Sequence, residues 1–395
     1  MEKSHKRLLV IDDERGMCDL VAEVAEDRGF ETESVTTHRK FREVCHEFRP
    51  TFIVMDLAMP DGDGVELLRF LSAEYNKATI VLISGFDKKV LNTVRQLGEE
   101  QGLNIAGALQ KPIAIEDLEA MISVAPDLCE EALIEELADA LETGQLTAYY
   151  QPKASLITGP PHPVEDVEAL VRWRHPERGL LTPDAFLGIA ERANLLLPLT
   201  LAVARQAFAQ VVAWDAKGLK MSVAVNVAPQ MLTNLHLPDE IVELAREIGV
   251  STKRVMLEIT ETGVMEDPHL AMDILARFRL KGFHLSLDDF GTGFSSLAQL
   301  YRMPFSELKI DQSFVRDVSK SDEARVIVRT MAEMARNLNL SVCAEGVEDS
   351  ETLEFLMTCG CDKAQGYLIS KPVPGDALLE IGPLWYPGQS LEKAG

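Results

Sequence analysis

The chain has 395 residues, 46% of them hydrophobic, which suits a globular protein of two or three domains. Its 63 acidic and 39 basic residues give a net charge of −24, which argues against a basic nucleic-acid-binding face, so we expect no DNA partner. Its six cysteines have neither a disulfide framework nor paired zinc-ligand spacing, so we expect reduced thiols and a cytoplasmic location.

The first part of the chain alternates apolar strands with helical segments, which predicts a doubly wound parallel sheet. Polar residues follow four of these strands: Asp12 with Asp13, then Asp56, Ser84 and Lys111. Ligands of such sheets bind at the carboxyl ends of the strands, so we expect these side chains to meet. The two acids can hold Mg²⁺, and Asp56 is a carboxylate nucleophile that can form an acyl phosphate. Ser84 and Lys111 can bind the added phosphoryl group.

The flanking residues make this pattern more specific. Met59-Pro60-Asp61-Gly62 comes soon after Asp56, and Pro112 follows Lys111. Together with the acidic pair and the serine, these residues resemble the receiver domain of two-component response regulators. The resemblance implies that a sensor histidine kinase phosphorylates Asp56, with one Mg²⁺ held by Asp12, Asp13 and Asp56.

Two features depart from the usual receiver pattern. Ala108 stands where receivers usually carry an aromatic switch residue, and the segment from Ser84 to Lys111 is a few residues longer than usual. Each site residue also has an ordinary explanation: Asp56 suits a helix N-cap and Lys111 a surface turn. We favour the receiver because four such residues follow four strands.

The receiver is predicted to cover residues 1–124, a linker residues 125–131, and a second domain residues 132–395. One segment of the second domain, Leu195 to Trp214, approaches the length of a membrane span. Polar residues interrupt it, and its apolar residues fall on one helical stripe, so we expect a buried helix and no membrane insertion. The predicted stripe consists of Leu201, Ala204, Phe208, Val211 and Val212.

The second domain repeats one pattern: an apolar strand ends in a residue that can bind metal or phosphate. These residues are Glu168, Asn226, Glu258, Asp288, Lys309, Glu345 and Gln365. The length suits one (β/α)8 barrel of the TIM type, in which strand ends converge on one catalytic face. Each residue alone is better explained as a cap or turn, but the repetition favours a site. Its many oxygen ligands suit Mg²⁺ or Mn²⁺, and a shared aspartate suits two ions about 3.5–4 Å apart.

The pair Asp288-Asp289 ends one of these strands and runs into a glycine-rich turn. Two adjacent carboxylates that face one point repel each other unless a cation lies between them. For this stretch alone, a solvated turn is the simpler interpretation. The remainder of the domain favours a metal site.

Several motifs make a family resemblance specific. They are Glu168-Ala169-Leu170, Tyr150-Gln151-Pro152, Asn226-Val227-Ala228-Pro229, Glu258-Ile259-Thr260-Glu261, Asp288-Asp289-Phe290-Gly291, Lys309-Ile310-Asp311, Glu345-Gly346-Val347-Glu348 and Gln365-Gly366-Tyr367. The domain resembles, from end to end, the EAL domain of cyclic di-GMP phosphodiesterases. The resemblance implies a modified barrel whose first strand runs against the others.

The resemblance also implies roles for single residues. The metal ligands are Glu168, Asn226, Glu258 and Asp288 for one ion, and Asp288, Asp289 and Glu345 for the other. The catalytic residues are Glu345 as general base, Lys309 near the attacking water, and the pair Asp288 and Asp289. The substrate and water contacts are Gln151, Arg172 and Gln365. Glu261 anchors the loop after Asp289, and the remaining motif residues are Asp311 and Glu348.

These expectations define a response regulator that hydrolyses cyclic di-GMP to linear pGpG and is modulated by phosphorylation of Asp56. The alternative is a sensor that binds cyclic di-GMP without cutting it. Sensors of this kind typically lose part of the Glu168 motif or the Asp288-Asp289 pair, and this chain keeps both. We further expect a homo-oligomer in which the loop from Phe290 to Leu297 couples the receiver to the metals.

Overall fold

The computed structural model describes residues 6–74, 78–86, 88–123, 130–291 and 301–387. The chain divides into two compact units, Met1–Ala132 and Leu133–Gly395, and each is considered by itself. A helix begins at Glu130, so its first two residues fall within the predicted linker. The remaining linker residues, 125–129, lie outside the described residues.

The first unit is a five-stranded parallel sheet with helices between its strands. Its strands are β1 Arg7–Ile11, β2 Glu31–Val35, β3 Phe52–Asp56, β6 Thr79–Ser84 and β7 Asn104–Gln110, with a two-residue ladder of β4 Ala58–Met59 and β5 Gly62–Asp63. Its helices are α1 Arg15–Glu26, α2 His38–Phe48, α3 Gly64–Glu74, α4 Lys88–Glu100 and α5 Ile115–Ser123. The strand order is β2-β1-β3-β6-β7, and every pairing is parallel.

Alternation along the strands builds a core on each face of this sheet. Leu9 and Ile11 of β1 join one apolar cluster, whereas Leu8 and Val10 join the other. Successive strand residues point to opposite faces, so a strand that is buried on both sides is apolar throughout. The doubly wound sheet predicted from the sequence is confirmed.

The second unit alternates strands and helices over a longer span. Its strands are β8 Leu146–Ser155, β9 His162–His175, β10 Gly179–Leu181, β11 Ser222–Asn226, β12 Val255–Thr260, β13 His284–Phe290, β14 Glu307–Ile310, β15 Ser341–Ala344, β16 Lys363–Gln365, β17 Val373–Pro374 and β18 Leu384–Trp385. Its α-helices are α6 Glu130–Thr143, α7 Leu187–Arg192, α8 Leu196–Ala216, α9 Leu237–Ile248, α10 Glu261–Glu266, α11 Pro268–Leu280, α12 Gln312–Val315, α13 Asp322–Asn337, α14 Ser350–Cys359 and α15 Leu378–Ile381. Short 3-10 helices cover Pro183–Ala185, Pro229–Thr233 and Thr252–Arg254.

Eight strands close into a barrel in the order β8-β9-β11-β12-β13-β14-β15-β16, with β16 pairing back to β8. β8 is antiparallel to both of its neighbours, and the six pairings from β9 to β16 are parallel. This is the predicted TIM-type barrel with a reversed first strand, so the fold class is confirmed. The carboxyl ends of the parallel strands share one rim, which brings the residues that follow them together.

Helix α8 is the one element among the described residues that is long and apolar enough to cross a bilayer. Here it packs on the barrel: Trp214 Nε1 donates to the carbonyl of Gly375 at 2.9 Å, and Gln206 bonds the backbone of β8. The predicted stripe was partly wrong, because Val212 is exposed. The buried face instead contains Leu199, Thr200, Val203, Ala204, Ala207, Phe208, Val211 and Trp214.

Candidate functional site

The seven strand-end residues of the barrel are joined in one network of hydrogen bonds and ion pairs. Six of them lie within the last three residues of their strand or directly after it, which places their side chains at the barrel rim. Glu168 was predicted at a strand end but lies in the middle of β9, opposite Ala224 of β11, because β9 continues to His175 through antiparallel pairing with β8 and β10. The sequence-based expectation that these residues come together therefore agrees with the geometry. Most are buried, and Asn226 is exposed.

Lys309 is the centre of this network. Its ammonium nitrogen lies 2.6 Å from Glu345 Oε1, 2.8 Å from Glu258 Oε2 and 3.0 Å from Asp288 Oδ1. A fourth carboxylate, Glu168, lies 3.6 Å away. Burial opposes the charge on Lys309, but these carboxylates outweigh it and raise its pKa well above the ordinary value. One fixed positive charge therefore holds several acids at the rim.

Glu258 is shared between two lysines. Lys153 Nζ lies 2.5 Å from Oε1, while Lys309 Nζ binds Oε2. Burial alone would raise the pKa of Glu258, but the two ammonium groups prevail and lower it to about 2. Glu258 is consequently ionised across the physiological pH range.

Side-chain amides line the opposite side of the rim. Asn226 Nδ2 donates to Glu168 Oε1 at 2.8 Å, and Gln365 Nε2 donates to Glu168 Oε2 at 2.7 Å. Gln365 Nε2 also lies 3.0 Å from Gln151 Oε1, and Gln151 donates to the carbonyl of Ser370. The side-chain oxygen Oε1 of Gln365 is buried and accepts no hydrogen bond from the described protein groups, so it can serve water or a cation.

A trio of carboxylates crowds the end of β13. Oxygens of Asp288, Asp289 and Glu345 lie within 4.8 Å of one another. Burial, reinforced by the charges of Asp288 and Asp311, raises the pKa of Asp289 to about 6. Burial likewise raises the pKa of Glu345, although Lys309 acts against it. The three carboxylates repel each other, so a bound cation would stabilise them.

The backbone explains how adjacent aspartates reach one point. Neighbouring residues of a regular strand face opposite sides, so Asp288 and Asp289 would diverge. Asp289 instead has φ of +54°, in the left-handed region that aspartate tolerates, and the register with β14 shifts between Leu287 and Phe290. The distorted strand end turns both carboxylates toward Glu345.

The remaining predicted residues support the rim or lie beside it. Glu261 is buried, and its Oε2 accepts from the amide of Gly291 at 2.9 Å, directly before the glycine-rich loop. Asp311 caps helix α12 by accepting from Ser313 N. Glu348 is exposed and lies 3.2 Å from Arg316, outside the network around Lys309.

Arg172 is half-buried on β9, and its guanidinium lies over the ring of Tyr149 at 5.8 Å. Burial lowers its pKa, while neighbouring Tyr367 and Tyr149 act in the opposite direction. The predicted coupling loop is described only as far as Gly291, because residues 292–300 lie outside the described residues. Gly291 has φ of +99°, and a Cβ there would lie 2.3 Å from Met331, so the position requires glycine.

The receiver-like unit has a smaller site at the carboxyl ends of β1, β3 and β7. Lys111 Nζ lies 2.8 Å from Asp12 Oδ2 and 2.7 Å from Asp56 Oδ2. Asp12 and Asp56 are buried, whereas Asp13 is exposed. Ser84 is buried at the end of β6, and its carbonyl accepts from Lys111 N at 2.8 Å. All five predicted residues therefore lie at one edge of the sheet.

The electrostatics of this smaller site follow from burial and one cation. Burial raises the pKa of Asp12, although its contact with Lys111 works against the rise. Burial also opposes the charge on Lys111, but the two aspartates outweigh it and raise its pKa. The second oxygen of Asp56 accepts from the amide of Ala58 at 2.9 Å, which fixes the carboxylate.

Both sites suit hard divalent cations. In the receiver-like unit, carboxylate oxygens of Asp12, Asp13 and Asp56 lie within 4.8 Å of one another. The barrel rim offers an oxygen-only donor set, and it holds more acids than the two lysines balance: Glu168, Glu258, Asp288, Asp289 and Glu345. Mg²⁺ and Mn²⁺ favour carboxylate and amide oxygens. The donor chemistry of both sites thus fits these ions.

Sequence reasoning missed a layer of charged residues one step deeper in the barrel. Lys153, Glu307 and Lys363 are held in ion pairs inside it, and Lys153 contacts the rim residue Glu258 directly. Their signal was present in the sequence. Each lies two positions before or after a predicted residue (Gln151, Lys309 and Gln365, respectively), and residues two apart on a strand share a face.

Comparison with known proteins agrees with this architecture. Residues 134–372 match the EAL domain, and residues 8–123 match the response regulator receiver domain. The chain is 33% identical over 337 residues to cyclic di-GMP phosphodiesterase RocR of Pseudomonas aeruginosa, covering 83% of this chain and 85% of RocR. It is 39% identical over 241 residues to cyclic di-GMP phosphodiesterase PdeR of Escherichia coli, covering 61% of this chain and 36% of PdeR.

Solved structures give the same assignment. The PaMucR phosphodiesterase in complex with c-di-GMP matches with a TM-score of 0.60 and 37% identity, over 62% of this chain and 99% of that structure. The EAL enzyme Bd1971 with cAMP and cyclic di-GMP bound matches with a TM-score of 0.61 and 27% identity, over 75% of this chain and 76% of that structure. The chain belongs to the EAL domain family and carries a response regulator receiver domain before its EAL domain, as its motifs predicted.

Proposed function

We propose that the EAL domain hydrolyses cyclic di-GMP to linear pGpG at a site that binds two Mg²⁺ or Mn²⁺ ions. The observation that carries the proposal is the complete, oxygen-rich rim around Lys309, with Asp288, Asp289 and Glu345 crowded together. The similarity to RocR over most of both chains supports the same reaction. A sensor without catalysis would not need this full set of acids.

The proposed metal ligands fall into two groups. Glu168, Asn226, Glu258 and Asp288 would hold one ion, and Asp288, Asp289 and Glu345 the other. Bound divalent cations supply Lewis acidity, which lowers the pKa of water and offsets the charge of phosphate oxygens. They would also relieve the repulsion within the trio, whose burial otherwise favours protonated carboxyls.

The chain's own residues complete the reaction. Glu345 would accept the proton of the attacking water, whose oxygen bonds to phosphorus as the bond from phosphorus to the 3′ oxygen breaks. The leaving oxygen takes a proton from solvent. Lys309, within 3 Å of Glu345 and Asp288, would donate to the oxygen that becomes negative in the transition state.

Three residues are proposed to orient the nucleotide and the water. Gln365 lies between Gln151 and Glu168 and would bind the water through its amide. Gln151 and Arg172 would contact the substrate. The planar guanidinium of Arg172, supported by Tyr149, suits phosphate oxygens or a guanine face.

The receiver domain is proposed to modulate this activity. A sensor histidine kinase would phosphorylate Asp56 with one Mg²⁺ bound at Asp12, Asp13 and Asp56. Phosphorylation adds about −1.5 to −2 charges, which Lys111 would pair with and Ser84 would hydrogen-bond. The proposed domain bounds are 1–124 for the receiver, 125–131 for the linker and 132–395 for the EAL domain. The protein is also proposed to be cytoplasmic and to form a homo-oligomer.

Hydrolysis is tested with the purified full chain, cyclic di-GMP and Mg²⁺ or Mn²⁺, with products separated by chromatography. We expect pGpG from the unmodified chain and a loss of product with Glu168→Gln. Glu243→Gln, which changes an exposed acid paired with Arg246, is the matched control and should retain turnover. Equal turnover by the Glu168 variant and the control would contradict the proposed site.

Phosphorylation is tested separately with acetyl phosphate and a gel that retards phosphoproteins. We expect a shifted band for the unmodified chain and for Asp19→Asn, an exposed control on α1, but not for Asp56→Asn. Hydrolysis rates with and without acetyl phosphate then show whether the modification changes activity. A shift that persists in Asp56→Asn would place the phosphoryl group elsewhere.

A further inference from the structure

A row of alternating charges runs through the interior of the barrel beneath the rim. Asp166 Oδ2 lies 2.8 Å from Lys363 Nζ, which lies 2.8 Å from Glu307 Oε2. Glu307 Oε1 lies 3.8 Å from Lys153 Nζ, and Lys153 continues the row to Glu258. At its lower end, the row borders a cavity of about 320 Å³ at the start of the strands. The rim is therefore connected to a second layer of charge.

The decisive contact is between Lys153 and Glu258, both of which are almost completely buried. Lys153 takes Oε1 of the carboxylate, so Oε2 is the oxygen that faces Lys309 and the other acids of the rim. A buried carboxylate with one oxygen bound to an ammonium group has lost freedom of rotation about its last side-chain bond. Lys153 thus determines which oxygen of Glu258 is available at the rim.

Lys153 is itself held in place from below. Glu307 accepts from Ser286 Oγ at 3.0 Å and from Lys363 at 2.8 Å, so its carboxylate is fixed near Lys153. Lys153 and Gln151 share the inward face of β8, which aligns the lysine directly beneath the rim. The supporting contacts come from β13, β14 and β16, and they hold the Glu307 carboxylate within 3.8 Å of Lys153 Nζ.

We infer that Lys153 is a positioning residue: it binds Oε1 of Glu258 and so presents Oε2 to a divalent cation. The inference deepens the proposed function, because it takes the rim to bind a cation. Outer residues that orient metal ligands typically contribute about 10–100-fold to metal affinity or activity. Lys153 carries a positive charge, so a role through charge alone predicts the opposite: its removal would strengthen cation binding.

The test is Mn²⁺ binding to the full chain, measured by calorimetry without nucleotide. All variants carry Asp13→Asn, which removes an acid of the receiver site so that binding reports the barrel. We expect Lys153→Met to raise the Kd for Mn²⁺ about 10-fold. Lys217→Met, which removes an exposed lysine paired with Asp376, is the matched control and should leave the Kd unchanged.

A charge-balanced double variant separates position from charge. Lys153→Met combined with Glu307→Gln removes one positive and one negative charge from the same layer. Positioning predicts that Mn²⁺ binding stays weak in the double variant, because Oε1 of Glu258 still lacks its contact with Lys153. Restoration to the native Kd would overturn the inference, as would tighter or unchanged binding in Lys153→Met alone.

Further controls distinguish a change in Mn²⁺ affinity from misfolding and from a failure of the proposed hydrolysis. Far-UV circular dichroism checks each variant, and Lys153→Gln, which keeps an N–H donor without the charge, replaces the methionine variant if that one does not fold. A Kd for Lys153→Gln between the native value and one about threefold weaker supports positioning by a donor, and a Kd tighter than native overturns it. Because no nucleotide is present, loss of Mn²⁺ affinity stands even if cyclic di-GMP hydrolysis were absent from every sample.

Discussion

The site of the receiver and the site of the barrel share one arrangement of charged side chains, but the arrangement is buried more deeply in the barrel. In each, a lysine bridges carboxylates at the carboxyl ends of parallel strands. Lys111 of the receiver bridges two aspartates and retains 17% of its side-chain exposure, with Asp13 exposed beside it. Lys309 of the barrel is 1% exposed and lies within 4 Å of four carboxylates.

The difference in burial and in the number of carboxylates indicates that the two sites suit different chemistry. A partly exposed lysine between two acids suits the phosphorylation of Asp56 that is proposed above. A buried lysine among an excess of acids leaves carboxylates that repel each other, and burial together with the charges of Asp288 and Asp311 raises the pKa of Asp289. The barrel also has Lys153 beneath it, for which no counterpart occurs among the described contacts of Lys111. Burial and the ratio of acid to base therefore distinguish the two sites.

The largest expected effect is the loss of kcat when the buried Lys309 is replaced. Lys309→Met should lower kcat for cyclic di-GMP hydrolysis by about 10²–10³-fold, because it removes a donor aimed at developing charge. Initial rates at saturating substrate and Mn²⁺ measure this, with Lys217→Met as the surface control. A kcat within threefold of the control would mean that Lys309 only holds the acids together.

The equivalent change in the receiver should act on stability. Lys111→Met leaves buried Asp12 and Asp56 without their shared cation and should lower the local free energy of unfolding by about 2 kcal/mol. Hydrogen exchange of peptides from β1 and β3 measures the loss within the receiver. Lys40→Met, an exposed lysine on α2, is the control. Unchanged exchange in both variants would show that the Lys111 bridge contributes little.

The carboxylate trio should make the barrel sensitive to pH. The folded-state pKa of Asp289, about 6, lies above its ordinary value of 3.8, so between these values the folded chain binds more protons than the unfolded chain. In EDTA, this contribution to stability is present below about pH 4 and is lost as pH rises through about 6. Thermal unfolding of the unmodified chain and Asp289→Asn, across pH 4 to 7, measures it. A contribution that instead grows with pH would contradict the assigned shift.

The affinity for a cation should depend on the protonation of the same carboxylates. Mn²⁺ requires ionised carboxylates, so its affinity for the barrel should rise between about pH 5.5 and 7.5. At pH 6, Asp289, with a pKa of about 6, should release about half a proton per cation bound. Calorimetry in two buffers of different ionisation enthalpy counts the protons. Binding without proton release at pH 6 would mean that the trio is already ionised.

The smallest expected effect concerns the outermost acid of the receiver site. Glu14 is exposed and lies 3.5 Å from Lys111. An exposed pair of this kind contributes little, so Glu14→Gln should change the free energy of unfolding by less than about 0.5 kcal/mol. Urea denaturation of this variant beside Lys111→Met gives the comparison. A loss as large as that of Lys111→Met would show that exposure does not separate the two acids.

The sequence predicted where the polar residues of both sites would meet, because parallel strands share one carboxyl edge. Glu168, Glu258 and Lys309 lie in different strands and meet at the rim as expected, although Glu168 lies in the middle of β9 and not at its end. Burial on both faces of β1 was equally visible as an unbroken apolar run. The pattern was weaker for α8, where Val212 was assigned to the buried face and is exposed.

Other features depend on geometry that the pattern does not specify. The left-handed backbone of Asp289 and the register shift beside it decide that both aspartates face Glu345. The contact of Lys153 with Glu258 crosses the barrel between strands that are not neighbours in the sheet. Alternation along β8 did place Lys153 on the same face as Gln151, but its partner depends on the closure of the barrel.

The most direct test of the account is a single-turnover experiment on the full chain. The EDTA-treated protein is mixed in excess with cyclic di-GMP, Mn²⁺ is added, and bound and free nucleotides are separated over time. The account predicts that the cyclic nucleotide is converted completely to pGpG after Mn²⁺ is added, and that Lys309→Met slows this conversion. Nucleotide that stays bound and cyclic in the presence of Mn²⁺ would contradict the account and identify the protein as a sensor.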